Sequence, residues 1–167
     1  MPYDPLRHHR RSIRLKGYDY SQAGAYFITI CTQNRVCLLN VSAVDAMIGH
    51  WWEELPNKFL AVTLDAFVVM PNHLHGIVML LESENPGSIP TPKLGQVVQW
   101  FKTMTTNAYI HGVKEAGWEP FEGRVWQRNY YEHIIRNERE LEAIRLYIAA
   151  NPENWTADEN HPGRLVG

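Results

Sequence analysis

The stretch VTLDAFVVM-PN-HLHGIVMLL, from Val62 to Leu81, decides the fold. Both halves are rich in β-branched and aliphatic residues, so each reads as a strand. Pro71-Asn72 between them is turn chemistry, and the two strands therefore pair as a hairpin. On the second strand, residues two apart share a face. His73 and His75 thus project side by side, while Leu74 points the other way. Two imidazoles on one rigid strand make half a site for a divalent metal. The same pair is compatible with two partly buried polar side chains, and the spacing alone does not choose.

Working outward, AYFITICT (residues 25–32) is β-branched and aromatic and reads as a strand. Val44, Met47, Ile48, Trp51, Trp52 and Leu55 recur at helical spacing, which predicts an amphipathic helix. On the other side, ESENPGSIPTPK (82–93) is a polar surface loop. A helix from Leu94 to Tyr109 follows, with Val97, Val98, Phe101, Met104 and Ala108 on one face. A glycine-containing loop leads to a strand near 124–135, and a last helix runs from Glu138 to Ala150 until Pro152 stops it. The order β-α-β-β-α-β plus a helix is a ferredoxin-like α+β plan: an antiparallel sheet with helices on one face and an added C-terminal helix. No internal repeat is visible. The expected division is a basic arm over 1–20, one domain over 21–155 and a polar tail over 156–167, with Trp155 available to pin the tail's start.

A chain of 167 residues with 45% hydrophobic residues and six tryptophans has enough material for one real core, not two. No apolar run approaches the ~20 residues of a membrane span, and the N-terminus is basic where a signal peptide turns apolar. A cytoplasmic protein is expected. Cys31 and Cys37 are too few for a disulfide framework and match no zinc spacing. A net charge of −2 does not advertise a nucleic-acid binder, but its distribution is uneven. Arg7, Arg10, Arg11, Arg14 and Lys16 form a run without an acidic residue. That run suits either a solvated tail or an arm contacting DNA phosphates.

Tyr147 and Asn151 are four residues apart on the last helix and therefore lie on one face. Asn151 could supply a third metal ligand. It is also an ordinary helix terminator before Pro152, and Tyr147 lies close to the apolar stripe of Leu141, Ile144 and Ile148.

Three motifs occur in order: VMPNHLH (69–75), WQRNYYEH (126–133) and YIAANP (147–152). Together with the opening strand YFITI (26–30), they resemble the REP-associated tyrosine transposases of the single-tyrosine HUH superfamily. The resemblance spans about residues 24–155 and implies the same ferredoxin-like core. It implies that His73 and His75 are metal ligands, that Tyr147 is the nucleophile, and that Asn151 completes the metal site. Where relatives often follow Asn-Pro with an Arg-Ala-Gly-Leu-like segment, this chain has Glu153-Asn154-Trp155, so C-terminal DNA contacts do not carry over.

The implied activity is cutting and rejoining of single-stranded DNA through a 5′-phosphotyrosine and a free 3′-hydroxyl, on a hairpin such as a REP-like palindrome. A divalent ion, Mg2+ or Mn2+, would neutralise the phosphate and stabilise the leaving oxygen. Tyrosine suits the attack because its phenol ionises far more readily than water. Tyr130 and Tyr131 are rival nucleophiles, but neither precedes a polar ligand by one helical turn. Gln127 and Arg128 are candidate DNA contacts beside the arm residues Arg10, Arg11, Arg14 and Lys16; His133 and Arg136 stand behind them. Monomer and homodimer both stay open. The alternative reading is a non-catalytic, domesticated single-strand-binding module on the same fold. A hydrolytic metallonuclease gives Tyr147 no role.

Overall fold

The computed structural model describes residues 23–82 and 90–164. The basic run with Arg10, Arg11, Arg14 and Lys16 lies outside the described residues. Four strands, β1 (Gly24–Cys31), β2 (Val62–Met70), β3 (His73–Leu80) and β4 (Tyr131–Ile135), form one antiparallel sheet in the order β2-β3-β1-β4. Helices α1 (Ser42–Glu53), the short α2 (Leu55–Lys58), α3 (Leu94–Ala116) and α4 (Glu138–Ala150) complete the α+β plan.

Side-chain alternation divides the sheet into two apolar faces. Tyr26, Ile28, Ile30, Leu74 and Val78 point to one side. There they pack with Val44, Ile48 and Trp52 of α1 and with Leu94, Val97, Val98 and Phe101 of α3. Phe27 and Ile77 point to the other side and meet Leu141, Ile144 and Ile148 of α4. His73 and His75 belong to that second face by register, since His75 lies opposite Thr29 and His73 opposite Cys31. The sheet register therefore puts both imidazoles beneath the last helix.

Local chemistry sets where α4 starts and stops. Asn137 caps it, its side chain accepting from the Glu140 N–H at 2.8 Å, a contact worth about 1 kcal/mol. Pro152 follows its last turn. Arg145 then clips α4 to β2 through two bonds to Asp65, of 2.8 and 2.6 Å, where a register shift between Leu64 and Phe67 turns the Asp65 carboxylate toward the helix.

Two elements depart from the expected bounds. The third helix runs to Ala116 rather than Tyr109, because Gly112 is a packing site and not a breaker: a Cβ there would lie 2.2 Å from the Trp118 ring. The helix ends where Gly117 adopts φ 70°. The strand expected near 124–135 pairs regularly only from Tyr131, apart from an isolated bridge between Trp126 and Thr32. The intervening carbonyls of Gln127, Arg128 and Asn129 turn inward to the buried Lys102 Nζ, at 2.8, 3.1 and 3.4 Å, and are lost to the sheet ladder. Among the described residues no helix is long and apolar enough to cross a membrane.

Candidate metal centre and tyrosine site

His73 and His75 open β3 directly after the Pro71-Asn72 turn and are 0% and 1% exposed. Their ring centroids are 4.7 Å apart. From α4, Tyr147 lays its ring 5.3 Å from that of His75 and edge-on to Phe27 at 6.1 Å. One turn later Asn151 is 3% exposed. Its Nδ2 donates to the Tyr147 carbonyl at 2.8 Å, while its Oδ1 is buried and accepts no hydrogen bond.

The orientation of His73 follows from the buried Asn72 beside it. Asn72 Nδ2 donates to the carbonyls of Arg35 (3.0 Å) and Asn160 (2.7 Å), which fixes the amide, since the flipped form would set oxygen against oxygen. Asn72 Oδ1 must then accept from His73 Nδ1, 2.8 Å away. With Nδ1 so occupied, it is Nε2 that faces inward and that would be offered to a metal ion. The His75 ring is also held from behind, with Nδ1 hydrogen-bonded to Thr29 Oγ1 at 2.7 Å.

Opposite His73 Nε2, at 3.4 Å, stands Asp158 Oδ2. The expected polar tail is folded over the site here. Trp155 lies 6.0 Å from the His73 ring, His161 4.9 Å from Trp155, and the Asn160 N–H donates to Asp158 Oδ1 at 2.8 Å. No sequence pattern marks Asp158, because its segment has no periodicity; Trp155 is the one residue there that signals a return to the body. Donor atoms of His73, His75 and Asp158 all lie within 4.8 Å of one another. Ligands ~2.1 Å from an octahedral ion lie about 3 Å apart when adjacent and about 4 Å when opposite. Two imidazoles and a carboxylate are a donor set that suits a divalent cation, around which His73, His75 and Asp158 would draw slightly closer together.

Burial raises the Tyr147 phenol well above its usual range, and the Asp158 and Glu159 charges push the same way; the Asn151 amide opposes them. Burial also acts to raise Asp158, but the His73 contact and the Asn160 hydrogen bonds outweigh it and hold the carboxyl below the ordinary aspartate value. Cys31, at the edge of the site, has its thiol pushed up to about 11 by burial, so it is an inert neighbour.

The rival tyrosines are placed differently. Tyr130 is buried in the α1–α3 core, with the Lys102 ammonium 5.6 Å from its ring centre. Tyr131 shares the α4 face with Tyr147 and likewise packs edge-on to Phe27, at 6.0 Å, but it stands on β4 rather than one helical turn before Asn151. His133 pairs with Glu140 of α4, and Arg136 is exposed. Gln127 and Arg128 are not among the metal cluster. They line an open cavity of about 710 Å³ beside the Gln33–Arg35 turn, and Gln127 also donates to the Thr32 carbonyl at 3.2 Å.

Residues 20–151 match the family model described as "Transposase IS200 like". A Haemophilus influenzae protein without assigned function is 38% identical over 179 aligned positions, covering 94% of this chain and 96% of that protein. A second Haemophilus influenzae protein, provisionally named a REP-associated tyrosine transposase, is 24% identical and covers 80% of this chain and 73% of its own length. The solved structure of a REP-associated tyrosine transposase bound to a REP hairpin superposes with a TM-score of 0.60 at 24% identity, over 85% of this chain and 74% of that one. With the family model spanning most of its length and the fold in agreement, this chain belongs to the IS200-like transposase family.

Proposed function

We propose that this transposase-family protein is a metal-dependent strand transferase that cuts and rejoins single-stranded hairpin DNA through Tyr147. The observation that carries the reading is the convergence of the α4 tyrosine on the β3 histidines, with its ring 5.3 Å from His75, a member of the buried His73–His75–Asp158 group that could hold a cation. His73, His75 and one or both of Asp158 and Asn151 would hold Mg2+ or Mn2+. When bound, such an ion supplies positive charge that draws in the phosphate and eases ionisation of the phenol.

The chain's own residues do the rest. Asn72 and Thr29 hold the imidazoles in place from behind. Phe27 and His75 pack the Tyr147 ring, so little rotational freedom remains to be lost at the moment of attack. Tyr147 Oη loses its proton and bonds to phosphorus. The 3′ oxygen leaves and takes up a proton, giving a 5′-phosphotyrosine and a free 3′-hydroxyl. Attack by another 3′-hydroxyl reverses the step and releases the tyrosine, so the bond energy is conserved. A duplex would first have to be opened at the cost of unstacking, which favours single strands.

The test is incubation with Mn2+ and labelled hairpin DNA from the flanks of the gene, read on a denaturing gel. Wild type should form a covalent protein–DNA band, and Tyr147→Phe and His75→Ala should lose it while staying folded. A band that persists in Tyr147→Phe and vanishes in Tyr131→Phe would reassign the nucleophile. Binding without any covalent band would favour the binding-module reading.

A further inference from the structure

The cavity at the Gln33–Arg35 turn has a composition that asks for an anion. Arg35, Arg124 and Arg128 all line it, together with side-chain amides, and none of its lining residues is acidic. None of these three guanidiniums forms an ion pair among the described residues. Arg145, by contrast, is held by both Asp65 and Glu142. Three like charges around one cavity repel one another unless something negative occupies it.

The wall of the cavity is built as well as charged. Lys102, 9% exposed, draws the carbonyls of Gln127, Arg128 and Asn129 inward, which turns three acceptors away from whatever the cavity holds. The facing turn is strained: Asn34 and Arg35 are consecutive non-glycine residues at φ 57° and 54°. Asparagine tolerates that region and arginine does so rarely. The conformation persists because Asn72 grips the Arg35 carbonyl and the Gln33 N–H donates to the Val125 carbonyl at 2.8 Å. Strain held in this way at a charged concavity points to use.

Asn72 also ties the cavity to the metal centre, since the same side chain that holds Arg35 holds His73. We infer that the Arg35–Arg124–Arg128 cavity is a phosphate subsite that grips the single DNA strand a short distance from the phosphate to be cut. This rests on the strand-transferase reading and adds the path by which the strand reaches Tyr147. Guanidinium forks suit phosphate oxygens, and a strand seated there would approach the histidines along the end of β1 and the Pro71-Asn72 turn.

The experiment measures equilibrium binding of a labelled single-stranded hairpin by Tyr147→Phe protein, which cannot cut on the proposed reading, across a salt series. Into this background go Arg124→Gln, Arg128→Gln and both together, with Lys58→Gln as control. Lys58 is exposed and close to the start of β2, at the opposite end of the sheet from His73. Each phosphate contact on a single strand contributes a slope of about 0.7 in log affinity against log salt. The double variant should therefore flatten the slope by about 1.4, and Lys58→Gln should leave it unchanged. Thermal melts establish that the variants are folded. An unchanged slope in the double variant, or an equal loss in Lys58→Gln, would overturn the subsite. Tighter retention of an RNA strand of the same sequence would overturn DNA as its ligand. The covalent-band assay fails or succeeds separately: flattened slopes without covalent linkage keep the subsite and remove the transferase chemistry. A background protein that binds no strand at all removes both.

Discussion

Replacing Asn72 by alanine tests whether the histidine pair is organised from behind. The side chain is 0% exposed and makes three hydrogen bonds, to the Arg35 and Asn160 carbonyls and to His73 Nδ1. At a net value of about 1 kcal/mol each, their loss costs about 3 kcal/mol, more where no water reaches the abandoned carbonyls. For a chain of this size that lowers Tm by roughly 6–12 °C. Mn2+ affinity should fall about 10- to 100-fold, the usual cost of losing a group that orients a metal-bound histidine, because His73 is then free to swap tautomers and present N–H instead of a lone pair. Asn72→Asp separates the two effects. It keeps an acceptor for Nδ1–H but sets its second oxygen against two carbonyls, so stability should fall while Mn2+ affinity is largely kept. Calorimetric Mn2+ titration and nitrogen NMR of the imidazoles read affinity and tautomer independently of cleavage. Wild-type Mn2+ affinity and an unchanged Nδ1–H tautomer in Asn72→Ala would refute the reasoning.

Gly76→Ala should destabilise the protein by about 1–3 kcal/mol through overpacking, since the new Cβ would lie 2.3 Å from the Trp52 ring, itself stacked on Phe67 at 4.4 Å. Gly49→Ala meets nothing within 4 Å on α1 and should stabilise by up to about 1 kcal/mol; urea melts of the two variants check both signs. The bond from Arg145 holds the Asp65 carboxyl below its ordinary 3.8 despite opposing desolvation. A depressed folded-state value means that the stabilisation is present above 3.8 and is lost as pH falls through the lower folded value. The acid limb of the stability profile should accordingly flatten in Asp65→Asn, as measured by denaturant midpoints between pH 5 and pH 2.

Elements whose determinants are local were legible in the sequence. The last helix has the expected ends because Asn137 and Pro152 act on their own neighbours. The hairpin that pairs His73 with His75 follows from alternation and one turn. Where a distant partner decides, local pattern carries no signal. Gly112 looks like a breaker until Trp118 is known to lie on it. The strand before Tyr131 is shortened by a lysine on another helix. Asp158 could not be found by pattern, because it reaches His73 through a segment whose only regularity is short 3-10 turns (Trp155–Ala157 and Pro162–Arg164).

The position of Asp158 bears on how the site would be kept quiet. A buried phenol flanked by the Asp158 and Glu159 charges holds its proton firmly. An incoming phosphate would meet the same Asp158 charge, so neither nucleophile nor substrate is favoured in the bare site. A divalent cation reverses both effects at once, by compensating the carboxylate and offsetting the phosphate. On the proposed reading, cation and strand therefore assist each other's binding, and the coupling is reciprocal. Asp158→Asn removes one of the two repulsions without emptying the cluster. It should weaken Mn2+ affinity through loss of an anionic ligand, yet raise affinity for single-stranded DNA in the absence of added metal. A drop in both affinities would mean that Asp158 is needed to shape the segment around Trp155 and Asn160 rather than to set the charge at Tyr147.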